Sequence, residues 1–441
     1  MSFTTNNGFP IFLSIITMWC FTSFIQAQES STFWIKGQVR PRLEWRNGYK
    51  TLQSDSARSY AYVEQRTRLT LGYKSKWVTL CLQPQDVRVW GSTALVNNSN
   101  SFFTLFNGWA KLHWAEHWSF KIGRQVWSYD NQRILGGLNW AAQGRAHDGL
   151  LLEYKNDSSQ LELQLGAAYN SSSSLVGAYN VAGNYRTLQF LRFRKAIKGF
   201  DIRLLFMNIG QDGVNNILNL EMTAGGIIDF KSKLFKARLE GYYQFGNWNT
   251  TAPKQAFLLA TKLSYTPDKL RVSLGGDWLS GTDEQQRGIR NNSFNPWLGT
   301  NHIFYGHLDY FYVGSSHGGV GLIDAYAEVF YTFSKTLKMG LMYHYFQAPN
   351  AFVESRSSRL LSTAFLGHEI DFIGHFQAQK FVKISFGYAH LLGNSPLETL
   401  KPSGTIDNLN NWAWLMLDVD LELFRHDIKD TKNTKLDHQR F

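Results

Sequence analysis

The sequence predicts an all-β fold: a transmembrane antiparallel β-barrel of about 18 strands, with short periplasmic turns and long extracellular loops. Three observations predict it. Apolar and polar residues alternate with period two, tight connections take turns with long ones, and the composition favours strands over helices. The stretch FKARLEGYYQFG (235–246) carries the pattern. Phe235, Ala237, Leu239, Gly241, Tyr243 and Phe245 share one parity, and Lys236, Arg238, Glu240, Tyr242 and Gln244 share the other. A half-buried strand of a soluble sheet alternates in the same way, so the rest of the chain has to decide between water and lipid.

Charged residues make up 18% of the chain, aromatics 15%, and there are 37 glycines, a balance of strand formers rather than helix formers. A soluble chain of 441 residues would divide into two or three domains, yet no Pro- or Ser-rich linker interrupts it. One repeating architecture is the simpler reading. The net charge of +11 suits a polyanion: nucleic acid, an acidic polysaccharide or anionic lipid.

Taken in order, the first element is IFLSIITMWCFTSFI (11–25), an uncharged apolar run followed by Gln26, Ala27 and Gln28. It reads as a secretory signal peptide spanning 1–27, although MSFTTNNGFP before it has no Lys or Arg. A short membrane anchor is the alternative reading, but the run is shorter than a normal span. Export argues against nucleic acid as a partner. Cys20 follows Trp19, which is too bulky for a lipoprotein cleavage site, and processing leaves Cys81 alone, so no disulfide supports the fold. No later segment reaches the ~20 apolar residues of a membrane helix.

Alternation then recurs in VEQRTRLTLGYK (63–74), LRVSLGGDW (270–278), FVKISFGYAH (381–390) and AWLMLDVDLELF (413–424). Strands begin near Phe33 and end near Phe424, which places the barrel at 28–424 and leaves RHDIKDTKNTKLDHQRF (425–441) as a basic periplasmic tail. Tight joints such as KSKW (74–77), AEHW (115–118), AIKG (196–199), FKSK (230–233) and TPDK (266–269) alternate with long connections, among them 97–101, 170–184, 280–319 and 394–410. Long and short joints in strict turn are what a membrane barrel with both ends in the periplasm requires. The apolar parity is then expected to face lipid and the charged parity a water-filled lumen. Trp77, Trp114, Trp118, Tyr265, Trp278 and Trp412 are expected at the interfacial girdles, although core packing would explain them equally well.

IGRQVWSYDNQRILGGLNWAAQGRAHDGLLLEY (122–154) resembles the central signature of the alginate export family of outer-membrane proteins. In that signature Gly-Arg-Gln closes a strand, a loop carries Gln-Arg and Gly-x-x-x-Trp, and Gly-Arg-x-x-Asp-Gly opens the next strand. WLSGTDEQQ (278–286), FNPWLGTNHIFYGHLDYF (294–311) and GLIDAYAEVFY (321–331) resemble the form common among Bacteroidetes-like envelopes. The resemblance implies localisation in the cell outer membrane and passage of an acidic polysaccharide, and it points to Arg124, Arg133, Arg145 and Asp148. An extended periplasmic turn that caps the pore in some relatives has no counterpart here.

Parity adds Arg66, Arg68, Arg88, Lys111, Lys236, Arg238, Arg271 and Lys383 as lumen cations, with Glu64, Glu240, Asp277, Asp324 and Glu328 as carboxylates that share the parity and hold them. Guanidinium groups bind carboxylates in a bidentate way, and many weak sites in series let an anion enter and leave. Ordinary lumen salt bridges are the bland alternative.

The expected function is passive diffusion of anionic solutes, an acidic polysaccharide such as alginate among them. A general porin for small anions is the alternative within the class. An outer-membrane hydrolase using Ser316 of GSSHG (314–318) is the alternative outside it, but a nucleophile elbow needs a helix after the serine and a strand-like run follows. His302, His307 and Asp309 lack the spacing of a closed metal site. No cofactor is expected. Outer-membrane lipid, the barrel-insertion machinery and the anionic solute are the expected partners, and the loop 280–319 is the candidate constriction or external cover.

Overall fold

The computed structural model describes residues 30–95, 102–170, 184–213, 217–247, 252–312 and 316–428. The signal peptide, most of the tail and the connection 97–101 lie outside the described residues. Among those described, one antiparallel sheet of 18 strands closes on itself. The strands are β1 (Ser31–Asn47), β2 (Tyr60–Lys74), β3 (Val78–Val89), β4 (Phe103–His113), β5 (Trp118–Gln125), β6 (His147–Asn156), β7 (Leu161–Tyr169), β8 (Thr187–Ile197) and β9 (Phe200–Asp212). They continue with β10 (Leu218–Lys231), β11 (Phe235–Gly246), β12 (Lys254–Tyr265), β13 (Leu270–Leu279), β14 (Leu322–Thr332), β15 (Leu337–Ala348), β16 (Ala364–Gln379), β17 (Val382–Gly393) and β18 (Asn410–Ile428). Each pairs with its neighbour in sequence, and β18 closes on β1 with Val39 opposite Val419. Closure leaves no edge strand, so every backbone donor and acceptor of the sheet can be satisfied without water.

One rim carries only joints of a few residues, such as 75–77, 198–199 and 380–381, while the other carries connections from 213–217 up to 280–321. The strict alternation read from the sequence therefore holds. The last strand continues past the expected end at Phe424, and Arg425 to Ile428 still pair with β1 across a register shift beside Lys36.

Side-chain exposure separates the two parities. Leu204 (51%), Leu239 (60%), Leu274 (62%) and Leu341 (52%) stand on the outer surface, whereas Glu240 and Gln244 are 1% exposed on the inner one. A belt of exposed leucines on this scale would drive aggregation in water, and a bilayer removes the cause. Trp77, Trp114, Trp278 and Tyr265 stand exposed near strand ends, as interfacial residues do. Trp412 does not. It shares inward parity with Trp414 on β18, is fully buried, and its indole Nε1 donates to Glu44 Oε2 at 3.0 Å. Position near a strand end suggested a girdle, but the parity of the strand decides where the ring goes.

Candidate functional site

The lumen is not simply water-filled. Two long connections, 126–146 and 280–321, supply Trp127, Leu135, Phe294, Leu298, Leu308, Phe311 and Val320 to one continuous buried apolar cluster. The inner wall reaches that cluster through Phe190, Leu205, Met207, Ile209 and Leu258. In the long-loop half of β8 and β9 the inward parity is thus apolar too, and strand alternation gives way to a seat for the loops. The question of where 280–319 goes is answered: it folds into the barrel. Lys50 N donates to Leu308 O at 2.9 Å, Tyr310 OH to Gly48 O at 2.6 Å, and Leu308 N to Glu369 Oε1 at 2.7 Å, which ties the connection to the rim of β1 and to β16.

Gly306 makes that approach possible. Its φ is +82°, and an added Cβ would sit 2.5 Å from the Glu369 carboxyl. Gly306→Ala is expected to lift 280–321 from β16, measured as faster protease cleavage within the loop in detergent. Cleavage at the wild-type rate would show that the close approach is unimportant.

The tip of 126–146 crosses the lumen and is held by charge. Arg133 Nε donates to Glu240 Oε1 at 3.0 Å, its Nη1 lies 2.7 Å from Asp277 Oδ2 and donates to Tyr305 OH at 2.5 Å, and its guanidinium sits 3.9 Å over the Phe304 ring. Asn131 Nδ2 donates to Glu240 Oε2 at 2.6 Å. Burial works against the Arg133 charge, but Asp277 and Glu240 outweigh it and hold the guanidinium well above its usual range. These three predicted site residues are committed to one another, and they anchor the loop.

A second group of arginines has the opposite character. On β1 and β2, Arg40 stands directly across from Arg66 and Gln38 from Arg68, so like charges share one patch of wall. All three arginines are buried, and no carboxylate lies within ion-pair distance of any of them among the described residues. Neutral oxygens take their place. Arg40 donates to Asn139 O at 2.7 Å and Trp140 O at 3.1 Å, Arg66 to Gln38 Oε1 at 2.8 Å and Asn139 Oδ1 at 3.1 Å, and Arg68 to Gln85 Oε1 at 2.7 Å and Gln143 O at 3.3 Å. The segment 139–143 therefore lies over the patch as a strap of carbonyl dipoles. Beside it, Arg42 is balanced by Glu44 and Glu64 and sits 4.2 Å over the Trp140 ring. A cavity of about 230 Å³ opens there, lined by Arg42, Arg46, Tyr49, Tyr62 and Trp140 among others, a setting of guanidinium and aromatic faces.

The remaining predicted residues are distributed along the wall. Arg88 pairs with Asp86 at 2.5 Å, Lys111 with Glu153 at 2.5 Å, and Arg124 with Asp148 at 2.7 Å in an exposed pair. Arg238 pairs with Asp229 at 2.7 Å, and Arg271 lies 3.8 Å from Glu328 and 4.3 Å over the Phe330 ring. Lys236 and Lys383 are exposed near the short-turn rim. Arg145 donates to the main-chain carbonyls of Gly136, Leu298 and Gly299, joining the two inward loops, and burial pulls its guanidinium down to about 10. Arg40 and Arg42 were missed by sequence reasoning. The signal was present in VRPRLEWR, where Arg40, Arg42, Glu44 and Arg46 share one parity.

The side chain of Ser316 lies outside the described residues, and a single 3-10 turn (Ser316–Gly319) and then strand β14 follow, not the α-helix of a nucleophile elbow. His302 Nδ1 and Asp309 Oδ1 are 3.0 Å apart, and Tyr49 OH donates to Asp309 Oδ2 at 2.5 Å. Among the described residues no cluster of three or more such groups gathers as a metal site.

A closed 18-strand barrel with two long loops folded into its lumen has the fold of the outer-membrane porins. Among solved structures, the chain is similar to OccAB1 of Acinetobacter baumannii, with a TM-score of 0.60 and 12% identity over 89% of this chain and 97% of that one. It is similar in the same way to OccK2 (OpdF) of Pseudomonas aeruginosa in complex with glucuronate, at TM-score 0.58 and 12% identity over 89% and 98% of the two chains. The outer membrane protein OpdK of the same organism matches at 0.58 and 11% over 90% and 99%. At such identities the likeness is one of fold. No family model and no curated protein matches the chain, so the resemblance to the alginate export family rests on its motifs alone.

Proposed function

We propose that this protein is an outer-membrane channel through which anionic solutes diffuse passively, with sugar acids of the uronate type as the preferred class. The observation that carries the reading is the patch formed by Arg40, Arg66 and Arg68, three buried guanidiniums with no carboxylate partner. The nearest carboxylate, Asp418, is held at one remove by Gln38 Nε2 at 2.8 Å, so a passing carboxylate would give these buried charges the direct partner they lack. Trp140, Tyr49 and Tyr62 line the cavity beside it, with Arg42 and His302 against the Trp140 ring and Arg46 over both tyrosines, so a pyranose would meet their edges and those guanidiniums. The bound glucuronate of the similar OccK2 structure supports the same class.

Passage of a long acidic polysaccharide such as alginate is a finer reading, supported by the signature at 122–154. In planar bilayers, refolded protein is expected to conduct anions in preference to cations and to be blocked reversibly by glucuronate. Block by oligouronates with an affinity that rises with chain length would favour the polymer. Cation selectivity would refute the reading.

A further inference from the structure

Lysine and arginine are segregated in this barrel. Of the lysines between residues 30 and 428, only Lys50, Lys254 and Lys401 lie on or beside the long connections, and the others gather toward the short-turn rim. Lys36, Lys74, Lys231, Lys236, Lys338 and Lys383 are spread around the circumference on β1, β2, β10, β11, β15 and β17. Each has the parity of the lumen wall, shared with Gln38 and Arg40, with Gly72, with Asp229, with Arg238 and Glu240, with Met342 and His344, and with Ser385. Among the described residues none of the six makes an ion pair.

Lys231 and Lys236 are cross-strand partners, a like-charge arrangement that costs stability. They line a cavity of about 370 Å³ at this mouth together with Arg238, Lys262 and Arg271. The carboxylates around that cavity are engaged, Asp229 by Arg203 and Arg238 and Glu328 by Lys262 at 2.7 Å, while elsewhere on the rim Lys36 stands across from Glu422 and Lys383 from Asp418, so uncompensated positive charge is greatest at Lys231 and Lys236. Their inward parity means that these ammonium groups address the aqueous mouth rather than lipid headgroups.

We propose that the short-turn mouth is a capture collar for polyanions, which draws acidic oligosaccharides into the barrel from that side. The proposal rests on the anion-channel reading and adds a direction of capture to it. An ammonium on a flexible stem is a strongly hydrated point charge that attracts without a fixed geometry, whereas the guanidiniums deeper in the lumen bind carboxylates face to face. Lysines at the mouth and arginines within thus divide the work into attraction and holding. An excess of one sign of charge at a low-dielectric opening raises association rates by roughly 10–10³-fold, and salt removes the effect.

The test uses single channels in bilayers of zwitterionic lipid, with orientation marked by a biotin on a cysteine placed in 349–363 and tri-galacturonate added to one side at a time. At 0.1 M KCl the blocking on-rate from the short-turn side is expected to exceed that from the long-loop side about tenfold, and at 1 M KCl the two should converge. Replacing Lys36, Lys231, Lys236 and Lys383 together by Gln should abolish the excess and leave the off-rate unchanged, and replacement by Arg should retain it. Lys231→Gln alone should remove part of it, which keeps the test available if the fourfold variant does not fold. Equal on-rates from the two sides, or an excess untouched by the Gln variants, would overturn the collar. Reversal potentials on the same channels separate this from failure of the underlying reading. An anion-selective channel without sidedness overturns the collar alone, and a cation-selective one overturns both.

Discussion

Replacing Arg40, Arg66 and Arg68 together by Gln will cut the anion-over-cation permeability ratio roughly tenfold while leaving the thermal midpoint unchanged or higher. Both halves follow from one geometry. The three guanidiniums hydrogen-bond only to carbonyl and amide oxygens, of Asn139, Trp140, Ala141, Gln143, Gln38 and Gln85. A Gln amide keeps part of this hydrogen bonding, and the desolvation energy recovered by removing three buried charges offsets the bonds that are lost. What disappears is the positive potential. Across a water-filled path of ~10 Å with a dielectric near 80, each charge is worth about 0.4 kcal/mol to a passing anion, the three together about 1.2 kcal/mol, and 1.4 kcal/mol is tenfold. Reversal potentials in a salt gradient and a melting curve in detergent read the two quantities. A variant that loses stability but keeps its selectivity would show that the arginines are structural.

The same geometry suggests how an anion would pass. Carbonyl oxygens of 139–143 occupy the positions where a carboxylate would be bound, so strap and solute compete for the same donors. A dipole competes weakly with a full charge, since charge-assisted hydrogen bonds are about twice as strong as neutral ones.

The barrel was legible in the sequence because a closed sheet in lipid imposes its rules residue by residue. Period two at 235–246 and the strict turn-taking of joints each follow from local constraints. The lumen was less legible. Alternation told which side of β2 Arg66 and Arg68 face, yet it could not tell that their partners would come from 139–143, about 75 residues away in sequence. Sequence also placed Arg66 and Arg133 in one class. One ends with no carboxylate in direct contact and the other with two, because pairing across the barrel is set by how the loops fold. The apolar inward parity of β8 and β9, with Leu205, Met207 and Ile209, was the one written sign that the loops would need a seat.

Arg133→Leu is expected to release the loop 126–146 from the far wall. Glu240 and Asp277 are 1% and 3% exposed, and without the guanidinium two carboxylates are left beside a cavity of about 110 Å³ with no cation between them. Breaking a buried pair by removing one partner costs about 3–5 kcal/mol, so the anchor should give way before the barrel does. The expected readout is a larger and noisier single-channel conductance, with a lumen open where the loop tip had lain. Replacing Glu240 and Asp277 as well, each by Leu, removes the stranded charge, and the triple variant should regain thermal stability lost by the single one. Conductance then discriminates. If apolar contact of the loop with Phe190 and Leu258 suffices to seat it, the triple variant conducts like the wild type. If the charge cluster sets the position of the strap over Arg40 and Arg66, conductance stays high although stability returns. The second outcome is the one expected, because Arg133 fixes the loop tip through directional bonds to Glu240 and Tyr305, and apolar contact alone has no such direction.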